Sequence, residues 1–78
     1  MSWNYRVIKK KHELEDSYSI HEVYYDDGVP HSWSENPQKP YGSSVEELKS
    51  NIDMMMVALG KPVLEVYIDG EKEKLREV

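Results

Sequence analysis

The stretch from Ser44 to Pro62 constrains this chain more than any other. Ser44 offers a side-chain oxygen to the free N–H groups that open a helix, and Glu47 three residues on completes a capping box. Val45, Leu48, Ile52, Met55 and Leu59 then recur at steps of three and four, which makes one apolar stripe. Glu46, Lys49, Ser50 and Asp53 fall on the polar side. Gly60 suits the position after a helix end, and Pro62 blocks continuation. A single amphipathic helix must lay its stripe on another layer, so the rest of the chain has to supply one.

That layer reads as strands. Trp3, Tyr5 and Val7 alternate with polar residues near the N-terminus and are followed by Lys9-Lys10-Lys11, the charged end of an edge. His12 to Asp16 reads as a loop. Tyr18 to Tyr25 is rich in aromatic and β-branched residues and runs into Asp26-Asp27-Gly28, a hairpin cue. The return strand spans Val29 to about Glu35, and Pro30 places it at an edge or a bulge. With Asp27-Gly28 as the loop, Tyr24 faces His31 and Glu22 faces Trp33. With Asp26-Asp27-Gly28 as the loop, Val23 faces His31 and His21 faces Trp33, so His21 and His31 share a face. Asn36-Pro37, Lys39-Pro40 and Tyr41-Gly42 form the loop before the helix. After it, Pro62 to Ile68 carries apolar residues on both faces, which predicts a central or partner-covered strand.

The expected architecture is therefore α+β: an antiparallel sheet of three to four strands with one helix packed on one face, in the order β-β-β-α-β. Residues 1–70 form the single domain and residues 71–78 a charged C-terminal tail or one loose helix.

Composition narrows the function. The chain has 78 residues, no Cys and no Phe, so thiolate chemistry and Cys-ligated zinc are excluded, and the core is small and leans on two Trp and six Tyr. Fifteen acids against ten bases leave a formal charge of −5. Phosphate neutralisation drives nucleic-acid binding, so this balance argues against direct binding to DNA or RNA and suits a basic protein partner. No apolar leader is visible, and the longest apolar run, Met54 to Leu59, is too short to cross a bilayer; the expected compartment is the cytoplasm.

No catalytic constellation emerges. Asp26-Asp27 is explained by turn chemistry and Glu46-Glu47 by the helix dipole. The serines sit in no nucleophile elbow, and Tyr41-Gly42-Ser43-Ser44 lacks the lysine of a phosphate loop. His12, His21 and His31 have no metal-ligand spacing; a metal or small-molecule role for His21, His31 and nearby acids is the alternative reading. Met54, Met55 and Met56 point in three directions on a helix, so they divide between core filling and an interface. Tyr24, Tyr25, Trp33 and Tyr41 divide the same way. The candidate interface set is Tyr25, Trp33, Tyr41, Met54 and Met56, with no cofactor and no catalytic residue.

Two segments, Tyr24-Tyr25-Asp26-Asp27-Gly28 and Gly42-Ser43-Ser44-Val45-Glu46-Glu47-Leu48, together with the Pro-rich loop between them, resemble the HicB-like antitoxin family over residues 18–68. That family has a strand, an Asp-Gly turn, a strand, a Pro-containing loop, a Gly-x-Ser/Thr-x-Glu-Glu helix start and a closing strand. This chain adds an N-terminal strand, shortens the loop from Trp33 to Gly42, and carries no ribbon-helix-helix or helix-turn-helix unit after the closing strand. The resemblance thus implies the partner-binding half alone. The sequence reading is a small acidic interaction module, not an enzyme, that pairs with itself as a homodimer or with a small basic protein.

Overall fold

A computed structural model describes all 78 residues. The elements are β1 (Ser2–Lys11), β2 (Asp16–Asp26), β3 (Val29–Trp33), α1 (Val45–Ala58), β4 (Leu64–Asp69) and β5 (Lys72–Glu77). They form an α+β fold with one helix and one five-stranded sheet, ordered β3-β2-β1-β4-β5. The sheet is mixed, not antiparallel throughout. β1 pairs antiparallel with β2 along its whole length, whereas β4 returns from the helix to lie parallel to β1, with Ile8 opposite Leu64. A crossover through a helix is what permits that parallel pairing, since a tight hairpin cannot make it.

The charged C-terminal segment is a strand and not a tail. Gly70 takes φ +68° in a two-residue loop, and Asp69 pairs with Lys72 across it. Leu75 is the one apolar residue of β5, but the strand is held by charge as well. Lys74 Nζ lies 2.8 Å from Asp69, and Arg76 lies 3.7 Å from the buried Glu65 and stacks 4.8 Å above the Tyr67 ring. The Lys74 ammonium holds the Asp69 carboxyl below its ordinary value, and Asp69 raises Lys74 in return.

The β2–β3 hairpin follows neither expected register throughout. Asp27 and Gly28 both have positive φ, +52° and +77°, the requirement of a type I′ loop, and Asp26 pairs with Val29 as the two-residue loop predicts. A bulge between Tyr24 and Tyr25 then shifts the pairing, so that Ser32 faces Tyr24 and Trp33 faces Val23. Pro30, which has no N–H to donate, sits on an edge strand beside this bulge.

Helix α1 begins at the expected N-cap, Ser44, but the return bond of the capping box reaches one residue further back, to Ser43. The Ser44 hydroxyl accepts from Glu47 N–H at 3.1 Å, and the Glu47 carboxylate accepts from Ser43 N–H at 2.8 Å. Gly42 lies so close to the helix that a Cβ there would run into the backbone of Glu47 and Leu48.

Two small cores lie on opposite faces of the sheet. Beneath the helix, Met55 and Ala58 pack on Tyr5 and Val7, with Ile20 and Val63 half-buried around them. On the other face Ile8, Val23 and Leu64 are fully enclosed, flanked by Tyr25, Trp33, Val66 and Leu75. No helix covers this second cluster. The two edge strands, β3 and β5, instead come back into contact, so the sheet curls around it. Such curling follows from strand twist, which accumulates across five strands. Only ten residues are buried in all, so neither core is deep and much apolar surface stays in solvent.

Candidate functional site

The helix is turned relative to the stripe read from the sequence. Its sheet-facing residues are Leu48, Asn51, Met55 and Ala58, not the full series from Val45 to Leu59. Asn51 explains the rotation. Its amide donates to the Tyr5 hydroxyl at 3.0 Å and accepts from Tyr41 N–H at 3.0 Å, which locks a polar residue against the sheet and ties the preceding loop down. Three of the five stripe residues, Val45, Ile52 and Leu59, are thereby left outside, and Met56 lies beside them. Val45, Ile52, Met56 and Leu59 are 79%, 38%, 60% and 68% exposed. They form a contiguous apolar flank beside the buried Met55.

The opposite flank of the helix is apolar too. Met54 and Val57 face Trp3, whose ring meets Tyr5 edge-on with centroids 5.3 Å apart. Trp3, Tyr5, Met54, Val57 and Lys61 enclose a notch of about 190 Å³. Exposed patches of this kind mark interaction surfaces more often than chance.

The five residues expected at an interface do not share one surface. Met54, Met56 and Tyr41 are exposed around the helix. Tyr25 and Trp33 lie on the far face of the sheet, half-buried against the second core. The Tyr25 hydroxyl is engaged in structure: it accepts from Arg6 Nη1 at 3.0 Å and donates to Asn4 at 2.7 Å. Arg6 is buried and reaches the Pro62 carbonyl at 2.6 Å, so this cluster ties β1 to β2 and to the start of β4. Sequence reasoning missed Trp3, Ile52, Val57 and Leu59 as exposed apolar residues. The signal was in the helix, whose apolar residues outnumber what one sheet face can cover.

His21 and His31 do not make a joint site. His21 is fully enclosed, and both ring nitrogens are occupied, Nε2 with the Ser19 hydroxyl at 2.8 Å and Nδ1 with the Ser34 carbonyl at 2.9 Å. Burial pushes its pKa down from 6.5; the Ser34 carbonyl opposes this and the nearby Lys10 charge adds to it. An imidazole so bonded serves the fold and has no lone pair to offer a metal. No group of three or more His, Asp or Glu side chains is placed to hold a cation. His31 stands apart, at an open cleft where β3 meets β5.

No protein-family model, curated protein or solved structure matches the chain. No helix is long and apolar enough to cross a membrane. The class defined by the fold is a small α+β domain in which one helix rides on a curled five-stranded sheet.

Proposed function

We propose that this chain is a non-catalytic protein–protein interaction module that pairs with a second copy of itself through the exposed flank of α1. The observation that carries the reading is a helix of 14 residues that buries only Met55 and Ala58. Its remaining apolar flank is continuous with the core and regularly spaced. Two such helices laid antiparallel bring Val45 of one copy to Leu59 of the other, with Ile52 meeting its own counterpart near the two-fold axis. Lys49 and Asp53, which now pair with each other at 3.1 Å on the rim, are placed to exchange partners reciprocally across that axis. A stripe this short predicts a weak, concentration-dependent dimer, because association itself costs several kcal/mol.

Light scattering over a dilution series tests this. The native chain should pass from dimer to monomer, and Ile52→Asp or Met56→Asp should be monomeric at every concentration with melting little changed. A native chain that is monomeric throughout would sink the homodimer.

A second partner class is favoured by the acids beside the same stripe. Asp53 and Glu46 lie beyond Lys49 on the polar side next to the exposed flank, in a chain of net charge −5. A small basic protein docked there is the form that the resemblance to HicB-like antitoxins gives the module. Capture of such a partner by the native chain, lost in Met56→Asp and weakened by salt, would support it.

A further inference from the structure

The other face of the sheet opens into a cleft that the interaction reading does not use. It lies where β3 and β5 approach each other, and its volume is about 660 Å³. That is inside the range of roughly 300–1,000 Å³ in which small-molecule sites fall. Trp33 and Val66 are its apolar part. Trp33 is half-buried, with its packing against Ile8, Val23 and Leu64 holding the ring in place, so a planar surface is presented on a rigid support.

The charged lining is balanced, two lysines against two glutamates, in a chain that is acidic overall. Lys10, Lys11, His12 and His31 face Glu35 and Glu73. Lys11 is committed elsewhere, 3.3 Å from Glu65, and His12 bonds the Ser17 hydroxyl at 2.9 Å. Lys10 differs. It follows Asn4, Arg6 and Ile8 on the curled face of β1, is half-buried, and has no carboxylate within ion-pair distance. A partly desolvated ammonium without a counter-charge is most cheaply satisfied by an anion. Its charge reaches inward as well, where it adds to the burial that holds His21 neutral.

We infer that this cleft binds a small organic anion with a flat aromatic body, the ring against Trp33 and the anionic oxygens at Lys10, with His31 beside them. A neutral ring would leave the Lys10 ammonium to water, and an inorganic anion would leave Trp33 uncovered, so a ligand that uses both carries both halves. The site is on the sheet face opposite the helix and stands whether or not α1 forms an interface.

The test is a titration of the native chain followed by amide and indole N–H NMR shifts. The probes are phenyl phosphate, indole-3-acetate, inorganic phosphate and benzyl alcohol. Phenyl phosphate or indole-3-acetate should give saturable shifts at the Trp33 indole and at the Lys10 to His12 amides. Inorganic phosphate and benzyl alcohol should bind about tenfold more weakly or worse, the size of one charge-assisted hydrogen bond or one stacked ring. Lys10→Gln, a change at a strand end with melting as the control, should weaken the aromatic anions about tenfold and leave benzyl alcohol unaffected. Trp33→Leu should weaken the aromatic anions and not inorganic phosphate. If it fails to fold, the Lys10→Gln arm alone decides. The proposal is overturned if no aromatic anion gives a saturable shift at millimolar concentration, or if Lys10→Gln binds them as the native chain does. It is equally overturned if inorganic phosphate binds as tightly as phenyl phosphate.

Discussion

Three consecutive methionines give a direct test of how α1 is seated. Met55 is 5% exposed and packs on Tyr5, Val7 and Ala58, whereas Met54 and Met56 are 50% and 60% exposed. Truncating a buried Met to Ala costs about 2–5 kcal/mol, from lost transfer energy and the cavity left behind. The neighbours Ile20 and Val63 are only half-buried and can relax inward, so Met55→Ala belongs at the lower end, about 2–3 kcal/mol. That is a large share of what a chain this size has, since stability runs at roughly 0.05–0.15 kcal/mol per residue. For a small domain each kcal/mol is worth about 4–8 °C in melting temperature, so Met55→Ala should lower Tm by about 10–20 °C. Met54→Ala and Met56→Ala should each stay within about 0.5 kcal/mol, as surface changes do. Urea denaturation of the three variants, at concentrations low enough to keep the chain monomeric, measures the differences. Equal losses at all three positions, or the largest at Met56, would refute the seating, because the helix would then be turned by about one residue.

Three further outcomes follow from individual contacts. Gly42→Ala should destabilise the chain by more than the fraction of a kcal/mol usual for a surface site, because the new Cβ meets rigid backbone at Glu47 and Leu48; thermal melting would show it. Stability should fall as the pH drops below about 6.5, because the unfolded His21 takes up a proton that the buried ring refuses. The slope approaches ~1.4 kcal/mol per pH unit and ends where the folded ring protonates, and it should flatten in His21→Gln when urea midpoints are compared across pH. Arg6→Lys should cost about 1–3 kcal/mol, since a single ammonium cannot reach both the Tyr25 hydroxyl and the Pro62 carbonyl; an unchanged denaturation midpoint would show that the cluster contributes nothing.

Much of this molecule follows from short-range chemistry. The helix start is set by the Ser44–Glu47 cap, which acts within a turn and so is legible one residue at a time, and Pro62 bars continuation. Gly60, expected to end the helix in the left-handed conformation, does not take positive φ, and the last turn tightens instead through bonds from Leu59, Gly60 and Lys61 N–H to the carbonyls of Met56, Val57 and Ala58. The Asp27-Gly28 loop is equally local, because positive φ at two adjacent positions is a property of those residues. Alternation placed Tyr5 and Val7 together on one face of β1, as they are.

What sequence could not determine is everything that depends on a partner distant along the chain. Lys72–Glu77 has almost no apolar content, and it is a strand because Glu65, Tyr67 and Asp69 stand opposite Arg76 and Lys74. The Tyr24–Tyr25 bulge moves Trp33 to Val23 and the curled core, where a hairpin rule alone would pair it with Glu22. The rotation of α1 is decided by Asn51 reaching Tyr5, a bond across 46 positions that no periodicity encodes. The candidate surfaces inherit that division. The apolar excess of the helix was visible in its spacing, but which half stays exposed, and that β3 and β5 close a cleft around Lys10 and Trp33, are consequences of sheet curvature and long-range pairing.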